Sequence, residues 1–205
     1  MSPNRNNSYF KFNEMRENIL SRLENELPTN LSYHDINHTL AVEKAALKLG
    51  EMENLSEEDF LILRTAILYH DAGYVVQYTD NEKFAKEMVR KDLPEFGYSN
   101  EQIQKILNII HSTQRQTTSA SHLDELMSDC DHDYFGRNNY TKIAQKLRDE
   151  LAIYGTSFTD LEWVDFQLAY VEGRHKYLTK SALELLDGEK KLRIQELKNQ
   201  RLTLL

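Results

Sequence analysis

The segment Phe60-Leu61-Ile62-Leu63-Arg64-Thr65-Ala66-Ile67-Leu68-Tyr69-His70-Asp71 decides how the chain folds. Phe60, Leu63 and Ile67 recur three and four residues apart, the spacing of one face of an α-helix. The next position on that stripe is His70, and Asp71 follows it directly. A helix of this kind aims an imidazole and a carboxylate toward a core, where a carboxylate without a partner is costly and either neutralises or finds a cation.

Two further segments show the same phase. Val42, Ala45 and Leu49 form a stripe that steps back by four residues to His38 and by four more to His34. Leu123, Met127 and Cys130 form a third inward face, with Asp131 four residues after Met127. Each of these residues could be satisfied by its own hydrogen bond. Two imidazoles and two carboxylates arriving from three helices are more economically satisfied by one shared metal ion, and helix bundles build metal sites from inward-facing side chains in this way.

Outward from these segments, the pattern predicts helices at about 8–27, 36–52, 57–71, 81–96, 100–114, 120–133, 139–154, 160–174 and 180–202. Ser99 with Gln102 and Thr159 with Glu162 fit the capping box, and Ser56 precedes two acids favourable at a helix N-terminus. Pro94 ends or kinks its helix. Val75-Val76-Gln77-Tyr78 is the best strand candidate but is too short to found a sheet. Trp163, Phe166 and Tyr170 recur at helical spacing and read as core. The basic stretch Lys190-Lys191-Leu192-Arg193 reads as a solvated face.

Composition agrees with an all-α fold. Of 205 residues, 40% are hydrophobic and 28% charged, which excludes a disordered acidic polymer, while only 7 Gly and 3 Pro favour few, long elements. The single Cys excludes an intramolecular disulfide framework and a Cys-rich zinc site. A net charge of −8 argues against binding to long nucleic acid. No apolar run approaches the roughly 20 residues that span a bilayer, and Met1 to Phe10 lack the apolar core of a signal peptide, so a cytoplasmic protein with no membrane partner is expected. Six of the 7 His lie between residues 34 and 132.

At these residues the chain resembles the HD-domain superfamily of metal-dependent phosphohydrolases. The resemblance rests on Tyr33-His34-Asp35-Ile36-Asn37-His38-Thr39, on Leu68-Tyr69-His70-Asp71-Ala72-Gly73-Tyr74 and on Asp129-Cys130-Asp131-His132-Asp133-Tyr134-Phe135-Gly136. The specific resemblance covers about residues 30–155, and the expected organisation is an HD-type helical domain over 1–155, including the N-terminal helix, with a C-terminal extension of amphipathic helices over 156–205 packed on the same domain. The resemblance implies His38, His70, Asp71 and Asp131 as metal ligands, with Asp129 open as an alternative carboxylate, and Asp133 facing solvent. His34 matches a position that serves as general acid in related phosphodiesterases, and Asp71 joins it in the catalytic set. Related bimetallic enzymes carry extra His ligands after the HD pair, where this chain has Asn81-Glu82 and, farther on, His111. His111, four residues after Leu107, points inward on helical phase; a second metal, a phosphate contact or a structural role are all open to it. Other HD subfamilies place a lysine shortly after the HD pair, where this chain has Tyr74. His122, His132 and His175 read as surface or structural residues.

The implied ligand set of nitrogen and oxygen suits Mn, Fe, Co, Ni, Mg or Zn, at one site with room for a second. Arg137 is the first candidate for a phosphate contact, with Arg115 and Lys44 weaker. Cys130, beside two acids, has little tendency to ionise. The expected function is metal-dependent hydrolysis of a small phosphorylated metabolite or nucleotide (a phosphomonoester, phosphodiester or pyrophosphate) through a metal-activated water. The alternatives are a nucleotide-binding regulatory module with a degenerate HD site and, ranked lower, a di-iron HD oxygenase. A homodimer is compatible with the sequence.

Overall fold

The computed structural model describes residues 5–113 and 121–205, with side chains from residue 11 onward. Among them lie nine α-helices and no strand: α1 (Arg5–Glu26), α2 (Ile36–Met52), α3 (Glu57–Tyr69), α4 (Asn81–Asp92), α5 (Asn100–Ser112), α6 (His122–Asp131), α7 (Tyr140–Ile153), α8 (Asp160–Val171) and α9 (Lys180–Leu204). No helix among the described residues is long and apolar enough to cross a membrane. Arg115 lies outside the described residues.

The helix starts follow local chemistry. Ser56 accepts a hydrogen bond from the Asp59 amide, and Ser99 and Thr159 each form the reciprocal capping box with Gln102 and Glu162. Several helix ends fall short of the expected bounds, those of α4 and α3 among them. α4 stops at Asp92 rather than near 96, since Pro94 has no N–H with which to continue the helix. α3 stops at Tyr69, and the chain passes through His70 and Asp71 into a 3-10 turn at Ala72–Val75, which takes up the start of the strand candidate.

The described residues cluster into two compact units, Met1–Pro28 with His34–Met127, and Thr29–Tyr33 with Ser128–Leu205. The division falls within α6. The reason is visible at α7, whose Tyr140 hydroxyl donates to Gln167 of α8 at 2.9 Å, so α7 joins the helices that follow it.

In the first unit α3 packs against α1, α2, α4 and α5. Ile62, Leu63, Thr65, Ala66, Ile67, Leu68 and Tyr69 are all fully buried, so α3 is apolar nearly all round, as a central helix must be. Glu43 of α2 is buried between Arg16 of α1 and Arg64 of α3, each contributing a contact of 2.8 Å. Burial alone would raise this carboxyl, and hydrogen bonds from the two guanidinium groups outweigh it and hold the group below its ordinary range. Both arginines would be needed, since a buried charge that loses its partner is strongly destabilising.

In the second unit Asp129 is fully buried and accepts hydrogen bonds from the Leu178 amide at 2.9 Å, the Thr179 amide at 2.8 Å and the Thr179 hydroxyl at 2.7 Å. It therefore anchors the chain at the start of α9, where Thr179 is the cap. His175 is buried against Phe135, Tyr177 and His132, and neither ring nitrogen has a hydrogen-bond partner among the described residues. Burial, with help from His132 and Lys190, pushes its pKa down to about 2. An unfolded chain takes up this proton near pH 6.5 while the folded chain does not, so the neutral ring costs stability as pH falls below that value. The urea midpoint is expected to fall between pH 7 and pH 5, and His175→Phe is expected to make that fall shallower by about one proton's worth of slope. An unchanged slope in the variant would show that His175 takes up its proton in the folded state.

Candidate metal centre

The HD segment builds its site at a helix end. Asp35 caps α2 by accepting from the His38 amide at 2.9 Å, which places His38 in the first turn of that helix and His34 just before it. At the end of α3, His70 Nδ1 lies 2.7 Å from the Ile67 carbonyl. A carbonyl only accepts, so Nδ1 carries the proton and Nε2 is left as the basic nitrogen, an arrangement typical of metal-binding histidines. His70 is 2% exposed and Asp71 has a side chain 15% exposed, so the ring and the adjacent carboxylate are held away from bulk water.

These side chains converge. Asp71 Oδ2 lies 3.0 Å from His70 Nε2 and 3.4 Å from His38 Nε2. One ligand atom from each of the three residues falls within 4.8 Å of the others. Ligands at 2.0–2.2 Å from a common ion sit about 3 Å apart when adjacent in its coordination sphere. Burial alone would raise the Asp71 carboxyl; the His70, His34 and His38 imidazoles outweigh it and hold the group well below the ordinary carboxylate range. Two borderline nitrogens and one ionised oxygen fit a divalent transition metal.

Two neighbours complete the surroundings. The His34 ring lies tilted against Tyr74 at 4.5 Å between centroids, and the Tyr74 hydroxyl lies 3.4 Å from His34 Nε2. The Asn81 amide donates to Asp71 Oδ1 at 3.3 Å. In the sequence Tyr74 and Asn81 stand out only as departures from other HD subfamilies. Neither carries a spacing signal that would reveal these contacts, which arise from the path of the chain between α3 and α4.

Other candidates divide as follows. Asp131, at the last position of α6, is half-buried; it belongs to the second compact unit and is not one of the three clustered residues. Asp129 is taken up by its three donors at the start of α9. Asp133, expected to face solvent, is buried and paired with Arg137, because the turn at Asp133–Gly136 folds the two side chains together. His111, expected to point inward, is exposed at the end of α5 even though Leu107 is buried. Glu82 is half-buried in the first turn of α4, and Lys44 is exposed. His132 is held by the Ser128 carbonyl and the Tyr170 hydroxyl, both at 2.9 Å, and His122 is exposed beside Glu53 and Glu125. Cys130 is fully buried, and burial with the neighbouring acids pushes its thiol well up, which leaves no thiolate.

An all-helical protein with an adjacent His-Asp pair, joined by a histidine from the preceding helix, belongs to a recognisable class. Residues 35–151, more than half of the chain, match the model of the HD domain, and the protein is a member of that family. Among solved structures, its fold is similar to that of Bacillus subtilis YpgQ in complex with ADP, with a TM-score of 0.67, 20% identity and 94% of each chain covered. No curated protein matches the chain.

Proposed function

We propose that the protein is a metal-dependent phosphohydrolase acting on a small phosphorylated metabolite or nucleotide. The observation that carries this reading is the convergence of His38, His70 and Asp71 in a chain of the HD family, whose members are generally hydrolases that bind divalent metals. The ADP bound to YpgQ, a protein of similar fold, supports a nucleotide as the substrate class.

His38, His70 and Asp71 would hold the ion, with Asp131 assigned as a fourth ligand from the family pattern alone. A divalent ion held there would lower the pKa of a bound water and polarise a phosphoryl oxygen. His34 is the proton donor to the leaving oxygen, a role that suits an imidazole near neutral pH. Tyr74 holds the His34 ring through the contact of its own ring and through its hydroxyl. Arg137 is the proposed cationic contact for phosphate, which would require it to loosen from Asp133; exposed His111 is the weaker proposed contact. A di-iron oxygenase fits less well, because Asn81 stands at Asp71 where a further ligand would be needed.

A nucleotide-binding regulatory module is the second reading, and the ADP complex of YpgQ is equally compatible with it. The two readings separate in a screen of protein reconstituted with Mn2+, Co2+, Ni2+, Mg2+ or Zn2+ against nucleotides and phosphorylated metabolites. Metal-dependent release of phosphate or pyrophosphate supports hydrolysis. Tight binding with no turnover across the panel would overturn it in favour of the regulatory module.

A further inference from the structure

Asn81 is the first residue of α4 and is 8% exposed. Its backbone is held in place by Gly73: a Cβ added at Gly73 would lie 1.7 Å from the Asn81 carbonyl oxygen, so the start of α4 rests directly on the turn that follows the HD pair. Asp80, in the left-handed region at φ 56°, turns the chain into that approach. Asn81 therefore meets Asp71 through the local course of the chain, and not through a mobile surface side chain.

The contact divides the two oxygens of Asp71. Oδ2 faces the imidazole nitrogens of His70 and His38 at 3.0 and 3.4 Å. Oδ1 faces the Asn81 amide at 3.3 Å. An amide turned toward a carboxylate presents its N–H, because its carbonyl would set acceptor against acceptor. A carboxylate bridges two cations by giving one oxygen to each. With an N–H donor on Oδ1, the place of a second cation beside Asp71 is taken by a group of the wrong polarity.

We propose that Asn81 is a positioning residue that orients Asp71 as a one-oxygen ligand and holds the centre to a single divalent ion. The inference rests on the metal-centre reading above, and it deepens that reading by fixing the number of ions. Partners that orient a ligand in this way contribute roughly 10–100-fold to metal affinity.

The test is a titration of the metal-free full-length chain with Mn2+, followed by calorimetry and by elemental analysis of the desalted protein. Wild type is expected to bind one equivalent. Asn81→Ala is expected to bind one equivalent about 10–100-fold more weakly. Asn81→Asp, which replaces the N–H donor with a second carboxylate at nearly the same shape, is expected to take up a second equivalent. Circular dichroism checks that each variant keeps wild-type helix content, and Asn81→Asp carries the test if Asn81→Ala does not fold. Two equivalents of comparable affinity in wild type would overturn the inference, as would an Asn81→Asp chain that titrates like wild type. Either result leaves the metal centre standing. A wild-type chain that binds no Mn2+ would overturn the centre and the inference together.

Discussion

Replacing Asp71 by Asn is expected to strip the protein of divalent metal and of all metal-dependent turnover while leaving its helix content unchanged. The change keeps the shape of the side chain and removes the only charge in the three-residue cluster. Two neutral imidazoles alone hold a divalent ion weakly. His70→Ala is expected to have the same effect by a different route, since it removes the nitrogen whose proton placement is set by the Ile67 carbonyl. Elemental analysis of the purified variants should find metal at background, and the rate should not exceed that of wild type treated with chelator. Normal hydrolysis by a double variant lacking both residues would defeat the assignment.

His34→Gln is expected to act on rate and not on metal. If His34 protonates the leaving oxygen, its loss lowers kcat by about 10²–10⁴-fold, with metal content and Mn2+ affinity unchanged. The deficit should shrink for a substrate whose leaving group needs no proton, such as a nitrophenyl phosphate ester. Tyr74→Phe keeps the ring against His34 and removes the hydroxyl near His34 Nε2, so it should cause a smaller loss of the same kind. A His34 variant that loses metal in proportion to activity would make His34 a ligand instead of an acid.

Much of this was legible in the chain before any coordinates. The caps at Ser56, Ser99 and Thr159 are local, made between residues three apart, so three helix starts could be read from sequence. The stripe that ends in His70 is equally local, and so is the stripe of α2 that carries His38. What sequence could not supply depends on where the chain goes next. Asn81 reaches Asp71 only because Gly73 lets α4 begin against the HD turn. Asp129 and Asp131 stand two residues apart with similar chemistry, and the backbone amides at Leu178 and Thr179, with the Thr179 hydroxyl, mark Asp129 as an anchor for α9. His111 was misread because helical phase specifies a direction and takes no account of where a helix runs out of core. Asp133 was misread for the converse reason, since a 3-10 turn carried it inward beside Arg137.

The opening stretch from Phe60 to Asp71 thus encodes both the central helix and the start of the centre at its end. The most direct test of that centre is anomalous diffraction at the manganese edge from crystals grown with Mn2+. The expected result is a single strong peak within bonding distance of His38 Nε2, His70 Nε2 and an Asp71 oxygen. A fully occupied peak elsewhere, with none among these three residues, would contradict the account.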